Sequence, residues 1–428
     1  MPRDGDSTSD SSSSSGGSSN SSLRRKRSSS ESSTGSSWGS RSEGSDEETE
    51  AVDEDDAPSS PMSGWTILLL VLVLAAAVGL AVFLGNRGGE GSTTAGSAGS
   101  GKSGTSAEGG GEEDDEGTAT QKTANGSPVQ AATSVPSDFL ESLAAKYSMS
   151  AAAVPSLTMP TAALPSPSAA NSYIQETWKP VRGSSDYLTF ETDPLDSAST
   201  EVVLQIRYEK GSYSGSGDVG GGIGNMQIAV FGEQKKRTMV SYEVGFNEGF
   251  DFVKGGKLPG SYGGDPGSGC TGGRNNPACF SLRMMWREDG AGELYAYIPI
   301  YDGLCDSEGT LCHGADGISF QRGAFTFEAG SYNTITEIAV MSSDTGTANG
   351  ILAVYAGETL AFERNDLVLS ANESVSFSTF IISSFFGGST EDYASSAEAF
   401  TFYRNMRFFE GDDASSESGE KVEAASDG

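Results

Sequence analysis

The sequence predicts an all-β protein whose folded part is one antiparallel β-jelly roll, a sandwich of two sheets, in a chain of 428 residues. First, residues 172–410 contain short runs of alternating apolar residues separated by Gly, Asn and Asp, the pattern of antiparallel strands and turns. Second, this range has no segment of useful length with helical periodicity. Third, the remaining residues are rich in Ser, Gly, Ala and acidic residues, and they bury too little apolar surface to fold.

The predicted strands follow from the alternation, because successive side chains of a strand face opposite sides. In chain order the runs are 201–208, 226–231, 239–244, 280–287, 293–301, 334–341, 351–355, 376–383 and 399–409. Frequent turn residues between runs of this length favour a sandwich over any arrangement that needs helices.

The composition also predicts how the chain is organised. The predicted segments are a disordered, Ser-rich and acidic cytosolic tail (1–65), a transmembrane helix (66–85), a flexible low-complexity stalk (86–171), the jelly-roll domain (172–410) and a disordered acidic tail (411–428). Within the stalk, residues 138–147 have an amphipathic pattern and a capping box formed by Asp138 and Glu141, which predicts two helical turns.

The membrane segment reads TILLLVLVLAAAVGLAVFLG, and no charged residue lies between Asp56 and Arg87. At about 1.5 Å per residue this length spans a bilayer core. A cleaved signal peptide is the alternative, but such signals begin near residue 1 and have a shorter apolar core. Basic residues counted over the whole amino-terminal tail place that tail in the cytosol, whereas Arg87 on the other side leaves the local charge signal ambiguous.

All four cysteines lie in the predicted domain, in Gly- and Asp-rich loops. A zinc site is the alternative to disulfides, but neither pair has the two-residue spacing of a zinc knuckle. We favour Cys270–Cys279 and Cys305–Cys312 among the three possible connectivities. Disulfides and the glycosylation sequon at Asn372 both favour the secretory lumen or the cell exterior. We therefore expect a type II single-pass membrane protein with its folded domain outside the cytosol.

Charge and histidine content exclude several classes of function. Residues 172–410 contain 16 basic and 31 acidic residues, so the domain carries a net charge of −15 in a chain of −32. Such a surface repels nucleic acids, and none is expected as a partner. His313 is the single histidine, so imidazole catalysis and histidine zinc sites are excluded unless they centre on it. We expect neither a metal nor another cofactor.

The segment 280–301, FSLRMMWREDGAGELYAYIPIY, predicts a β-hairpin with its turn at EDGAGE. Its even positions are apolar and predict a core face. Its odd positions place Ser281, Arg283, Tyr295 and Tyr297 together on the other face. A hairpin centred on Gly290 would pair Arg283 with Tyr297, Met285 with Tyr295 and Arg287 with Glu293, with each pair about 5 Å apart.

A local excess of positive charge accompanies this hairpin. Residues 254–287 contain one acidic residue, Asp265, and five basic ones, Lys254, Lys257, Arg274, Arg283 and Arg287. An ordinary solvent-exposed face is the alternative interpretation. A positive island in an acidic domain favours a site for an anionic ligand.

Three motifs in order make the domain resemble polysaccharide lyase family 14, which includes alginate and glucuronan lyases: FDFVKGGKLPG (250–260), FSLRMMWREDGAGELYAYIP (280–299) and SSFFGGS (383–389). The resemblance implies a jelly roll with a cleft. Carried over residue by residue, it implies catalytic positions at Lys257 (with Lys254 the fallback), Ser281, Arg283, Tyr295 and Tyr297. Of the other cations in the positive island, Lys254 and Arg287 are expected to bind the substrate. The Gly-rich loop 262–277 departs from the family pattern, so the number of subsites and the choice of substrate stay open.

This resemblance implies β-elimination on a 1,4-linked polyuronate, an anionic polysaccharide. Lys257 and Arg283 would neutralise the uronate carboxylate. A tyrosine has an unperturbed pKa near 10 and becomes a usable base when adjacent cations lower that pKa, as expected for Tyr297 beside Arg283. Which of Tyr295 and Tyr297 is base and which is acid stays open.

Three alternatives remain. A non-catalytic carbohydrate-binding jelly roll would have no reason to keep both tyrosines opposite Ser-x-Arg. A sandwich glycoside hydrolase needs two carboxylates about 5 to 9 Å apart, whereas the predicted site offers Glu293, which Arg287 can neutralise, and no Glu-x-Asp-x-x-Glu strand occurs. The third alternative is a structural protein that tethers the cell wall.

Overall fold

A computed structural model of the chain describes residues 128–130, 134–217, 219–270, 276–314 and 317–423. These residues belong to one structural unit, Gly111–Gly428. The predicted cytosolic tail and the predicted membrane segment 66–85 lie outside the described residues. Within the described part of the chain, neither helix has the length and apolar character that crossing a membrane requires.

The described residues form two α-helices and eighteen β-strands. The helices are α1 (Ser137–Lys146) and α2 (Pro167–Thr177). The strands are β1 (Val129–Gln130), β2 (Ser150–Ser156), β3 (Leu188–Thr192), β4 (Val202–Tyr208), β5 (Ile223–Ile228), β6 (Arg237–Phe246), β7 (Gly255–Gly264), β8 (Cys279–Arg287), β9 (Ala291–Tyr297), β10 (Thr310–Cys312), β11 (Ile318–Thr326), β12 (Tyr332–Val340), β13 (Thr347–Ala348), β14 (Gly350–Ala356), β15 (Thr359–Leu367), β16 (Phe377–Phe386), β17 (Ala399–Gly411) and β18 (Glu420–Lys421).

Two large sheets form a sandwich, as the sequence predicts. The first sheet has the order β1-β11-β9-β8-β7-β16-β5, with β10 beside β11. The second has the order β15-β14-β12-β6-β17-β4-β3, with β2 beside β17. The inner faces meet in one large apolar cluster, to which β8 contributes Phe280, Leu282, Met284 and Trp286, all with no exposed surface. The even face of the predicted hairpin is therefore the core face, and that prediction is confirmed.

The folded region begins before residue 172, so the predicted end of the stalk is wrong. Leu140 and Leu143 of α1 are buried against the outer face of the second sheet, where they pack with Ile338 and Ala353. β2 pairs with β17, and α2 buries Ile174 in the main core. The small and polar residues of this segment resemble a linker in composition, yet a few apolar residues at helical spacing are enough to dock it.

Two smaller predictions at the ends of the domain also need correction. α1 starts directly after Pro136 and has no side-chain cap, so Asp138 lies inside the helix and does not form the predicted capping box with Glu141. Beyond residue 410, β17 continues to Gly411 and β18 pairs with β13, so part of the predicted disordered tail is ordered.

A β-bulge in β7 positions the start of the functional face. Lys257 pairs with Met285 and Gly260 with Arg283, so three steps along β7 match two along β8. The second sheet supports this bulge across the core. The Tyr242 hydroxyl donates to the carbonyl oxygen of Pro259 at 3.0 Å, and the Ser261 amide donates to Oε1 of Glu337 at 3.1 Å. Polar groups that the bulge removes from the ladder are thus satisfied from the opposite sheet.

Candidate active site

The odd face of the β8–β9 hairpin is the outer face of the first sheet. Its strands are in register with Ser281 opposite Tyr297 and Arg283 opposite Tyr295. The predicted faces are correct, but the predicted register is wrong by two residues. The cause is the turn, a 3-10 segment in which Asp289 has φ 57° and Gly290 has φ 76°. Asp tolerates this left-handed conformation, so the hairpin centres one residue earlier than expected.

Lys257 lies in the neighbouring strand β7 and points over this face. Its Nζ atom is 3.0 Å from the centre of the Tyr295 ring and 5.9 Å from that of Tyr297. Nζ also donates to the sulfur of Met285 at 2.9 Å. Lys257 is 7% exposed. The ammonium group is therefore held largely away from water by an aromatic face and a polarisable sulfur.

Arg283 has no exposed surface, which is unusual for a guanidinium. Its Nη1 donates to the hydroxyl of Ser383 at 3.2 Å, and its Cζ lies 5.2 Å from the centre of the Tyr297 ring. Its Nε and Nη2 atoms have no hydrogen-bond partner among the described residues. Burial lowers the pKa of Arg283, and Tyr297 and Tyr295 partly oppose that change. Two buried donors of this guanidinium thus lack an acceptor, which an anion would supply.

Ser281 connects this face to the loop that carries the first disulfide. Its hydroxyl donates to the carbonyl oxygen of Cys270 at 2.6 Å, and Cys270 is bonded to Cys279. The second disulfide joins Cys305 to Cys312. Both predicted pairings are confirmed. Residues 271–275, which include Arg274 of the predicted positive island, lie outside the described residues.

We refer to Lys257, Ser281, Arg283, Tyr295 and Tyr297 as the cationic cluster. The two tyrosine rings are 5.5 Å apart and inclined by 67°, and all five side chains are at most 7% exposed. The structure thus brings together the five residues for which the resemblance implies catalysis.

Arg287 lies beside the cluster and forms a buried ion pair with Glu293. Its Nη2 atom is 2.7 Å from Oε1 of Glu293, and Arg322 binds the other carboxylate oxygen at 2.7 Å. Burial alone would raise the pKa of Glu293, but the two guanidinium groups outweigh it and bring that pKa to about 2. The ion pair holds Arg287 with its Cζ atom 6.0 Å from the centre of the Tyr295 ring. Its contact with substrate stays a prediction.

Lys254 does not join the cluster. It is exposed ahead of β7 and forms an ion pair with Asp392 at 2.8 Å. Lys257 is therefore the lysine of the KGGKLPG motif that faces the tyrosines, and the fallback position is unsuited to that role.

Sequence reasoning missed three contacts of the cluster. Met285 holds Lys257, Ser383 holds Arg283, and His313 stacks on Tyr295 with ring centres 5.7 Å apart. His313 is also bonded through Nε2 to the hydroxyl of Ser319 at 2.9 Å. Parity already places Met285 on this face, but its contact with Lys257 depends on the pairing of β7 with β8. Ser383 belongs to the SSFFGGS motif, but nothing local indicates its contact with Arg283, and His313 lies on a distant segment outside the three motifs.

Burial raises the pKa of Tyr262, whose hydroxyl donates to the carbonyl oxygen of Asp265 at 3.1 Å. The Tyr262 hydroxyl therefore holds the loop that carries the first disulfide, and its raised pKa makes it poorly suited to accept a proton.

No group of three or more His, Cys, Asp or Glu side chains suited to a metal ion occurs in the described part of the chain.

The fold and site define a polysaccharide lyase, as comparison with known proteins shows. A family model described as polysaccharide lyase 14 matches residues 196–406, which include the whole cationic cluster. The crystal structure of a marine PL-14 alginate lyase from Aplysia kurodai is 32% identical and superposes with a TM-score of 0.50 over 59% of this chain and 100% of its own. The chain belongs to polysaccharide lyase family 14.

Two more distant structures were also found. An alginate lyase from a Chlorella virus is 23% identical, with a TM-score of 0.44 over 52% of this chain and 89% of its own. An endo-β-1,4-glucuronan lyase from the fungus Trichoderma reesei is 12% identical, with a TM-score of 0.36 over 54% of this chain and 90% of its own. The search of curated proteins gave no match.

Proposed function

We propose that this lyase cleaves a 1,4-linked polyuronate, of the alginate or glucuronan type, by β-elimination at the cationic cluster. The observation that carries the proposal is the buried Arg283, whose Nε and Nη2 atoms have no hydrogen-bond partner among the described residues. Burying a guanidinium with unused hydrogen-bond donors costs free energy. A carboxylate can accept two parallel hydrogen bonds from it. A uronate carboxylate fits this requirement, whereas a neutral sugar supplies no charge.

In the proposed reaction, a base removes the proton at C5 of the uronate. The C5–H electron pair becomes the C4=C5 double bond, and the C4–O bond to the next sugar breaks. The C5 proton is weakly acidic because its removal places a second negative charge next to the carboxylate. Arg283 and Lys257 stabilise that charge as it develops, in a site that excludes most water. Preformed cations of this kind lower the barrier without rearranging during the reaction.

The tyrosines carry the protons. Each ring has a cation at its face, Lys257 at Tyr295 and Arg283 at Tyr297. One tyrosine oxygen takes the C5 proton, and a tyrosine hydroxyl then protonates the departing C4 oxygen. Ser281 has a positioning role, because its hydroxyl donates to the carbonyl oxygen of Cys270 and so holds the disulfide loop beside the cluster.

The similar Aplysia kurodai protein is an alginate lyase, which supports a uronate polymer as substrate. The test is incubation of the lyase domain with alginate and with glucuronan, followed by the ultraviolet absorbance of the unsaturated product. We expect unsaturated ends from at least one polymer. Binding of these polymers without release of such ends would contradict the proposal and favour a carbohydrate-binding protein.

We also propose that the domain works outside the cytosol, at the cell surface or in the secretory lumen, behind a type II anchor at 66–85. The two disulfides support an oxidising compartment. Asn372 lies in the turn between β15 and β16, where its Oδ1 accepts from the Ser374 hydroxyl at 2.8 Å. A surface turn is where a glycan can be attached.

A further inference from the structure

His313 lies at the edge of the cationic cluster, and the proposed mechanism does not use it. It follows β10, which pairs with β11, and its amide donates to the carbonyl oxygen of Gly317 at 2.9 Å. Its imidazole is half-buried and stacks on the Tyr295 ring, with ring centres 5.7 Å apart and planes inclined by 24°. The single histidine of the chain thus contacts one of the two tyrosines for which proton transfer is proposed.

Neighbours from both sides of β9 confine the Tyr295 ring. Lys257 approaches it from β7, on one side of β9, whereas His313 approaches from β10 and β11, on the other side. Gly317 brings its backbone against the ring, since a Cβ added there would lie 2.7 Å from Cε1 of Tyr295. A ring held between neighbours in this way keeps its hydroxyl in one place, which efficient proton transfer requires.

A buried hydrogen-bond chain fixes the imidazole. Nε2 of His313 lies 2.9 Å from the hydroxyl oxygen of Ser319, and that hydroxyl donates to Oε1 of Glu293 at 2.9 Å. Ion pairs with Arg287 and Arg322 keep Glu293 ionised. Its carboxylate can only accept, so the single hydroxyl proton of Ser319 is used there. The Ser319 oxygen therefore accepts from His313, which requires the tautomer with the proton on Nε2.

Strand register brings this chain to Tyr295. Ser319 is directly opposite Tyr295 across β11 and β9, so the two side chains lie on the same face of the sheet. Glu293 is two positions before Tyr295 in β9 and shares that face. Both Ser319 and Glu293 are at most 1% exposed. Buried ion pairs contribute little net stability on their own, whereas this one fixes the polar end of a side chain in the active site.

We infer that His313, oriented by Ser319 and Glu293, is a positioning residue that holds the Tyr295 ring for proton transfer. The inference rests on the proposed function and adds a residue to it. His313 acts through Tyr295 and is assigned no contact with the sugar. Its removal should therefore lower kcat and leave KM nearly unchanged.

The test measures unsaturated-end formation by variants at position 313, with whichever of alginate and glucuronan the parent cleaves. We expect His313→Ala to lower kcat about tenfold, the effect of one aromatic contact, with KM within about twofold of the parent. His313→Phe keeps a ring but loses the bond to Ser319, so its kcat should be about threefold below the parent. Leu311→Ala, exposed in the same strand, is the matched control and should retain parental kcat. Thermal unfolding checks that each variant folds.

A double-mutant cycle with Tyr295→Phe separates positioning from a structural role. If His313 acts through the Tyr295 hydroxyl, His313→Ala should have no further effect on kcat once that hydroxyl is absent. A residue that serves only the stability of the fold would give the same loss in both backgrounds. That additive result, or parental kcat in His313→Ala, would overturn the inference and leave the proposed function intact.

The imidazole also gives a readout that does not depend on activity. Because His313 is the single histidine, the nitrogen NMR shifts of its ring report its tautomer directly in protein prepared without a histidine tag. We expect the proton of the neutral ring on Nε2, and a proton on Nδ1 would contradict the orientation by Ser319 and Glu293. If the parent released unsaturated ends from neither polymer, the proposed function would be wrong, and the positioning role would fall with it.

Discussion

Lys257 holds its ammonium nitrogen 3.0 Å from the centre of the Tyr295 ring. Arg283 has a similar relation to Tyr297, at 5.2 Å from its Cζ atom. The cation of each pair comes from a different strand from its tyrosine, so the sheet itself sets the separation of charge and ring. In the proposed mechanism, the ring contacts the cation and the hydroxyl transfers the proton.

Removing either hydroxyl should therefore slow turnover strongly while preserving the fold. We expect Tyr295→Phe and Tyr297→Phe each to lower kcat by at least about 100-fold, the usual effect of losing an acid or base. Both variants keep the ring and its contact with the cation, so their thermal unfolding should match that of the parent. Initial rates of unsaturated-product formation provide the measurement. Parent rates in both folded variants would exclude the proton transfers proposed for these tyrosines.

Replacing Arg283 by Lys should be nearly as damaging. A lysine keeps the charge but loses the planar pair of donors that a carboxylate accepts. We expect kcat/KM to fall by at least about 100-fold, since a hydrogen-bonded buried charge pair is worth several kcal/mol. Arg407→Lys, on β17 of the opposite sheet, is the matched control and should retain parental kcat/KM. Equal kcat/KM for the two variants would contradict the proposed role of Arg283.

Glu337 should make the domain less stable as the pH rises. Burial raises its pKa to about 8, although the hydrogen bonds from Ser261 lower it in part. In the unfolded chain the carboxyl ionises near 4.5, so folding holds a proton that the unfolded state releases. The penalty is absent below about pH 4.5 and complete above about pH 8, at about 1.4 kcal/mol per pKa unit. Glu337→Gln should not lose stability in this way. We therefore expect its free energy of unfolding, relative to that of the parent, to increase from pH 5 to pH 8.

Urea unfolding at both pH values measures this difference. Glu358→Gln, in the exposed turn between β14 and β15, is the control and should follow the parent. Parallel pH profiles for the parent and Glu337→Gln would show that Glu337 is already ionised in the folded state.

The two disulfides should differ in their effect on activity. Each closes a short loop, so replacing either pair of cysteines by serine should cost about 2 to 3 kcal/mol of unfolding free energy. The Cys270/Cys279 pair should also lower kcat more than the Cys305/Cys312 pair, because the Cys270 carbonyl accepts the Ser281 hydroxyl. Urea unfolding and initial rates of the two double variants test both points. Equal kcat values would show that the disulfide loop does not support the cluster.

The proposed topology predicts a protease result. Protease added to intact cells should remove the domain that contains Asn372 and leave the Ser-rich tail, 1–65, protected. Immunoblots against a tag at each end measure this. Loss of the tail with protection of the domain would reverse the orientation.

The sequence predicts the faces of β8 and β9 well because alternation is a local property. It predicts their register less well, since the register depends on the conformation of Asp289 in the turn. It missed β7 as a strand, because GGKLPGSYGG contains five glycines and a proline, which are depleted in strands. Only the resemblance placed Lys257, and its contact with Met285 depends on the pairing of β7 with β8.

The tertiary contacts explain the remaining differences. Arg287 looks like an available cation in the sequence, but Glu293 and Arg322 enclose it in an ion-pair network. Local patterns cannot show which charges pair across strands. They also do not show that α1 and β2 dock on the second sheet, because those contacts join residues about 200 positions apart.

The bulge at Pro259 has a consequence for engineering the enzyme. Tyr242 and Glu337, which support it, belong to the second sheet, across the core from the cationic cluster. Random mutagenesis confined to the cationic cluster would leave this support unexplored. Paired changes at Tyr242 and Glu337 could shift the height of Lys257 above the tyrosines by small steps. Such changes alter the backbone that carries Lys257 and leave every residue of the cationic cluster in place.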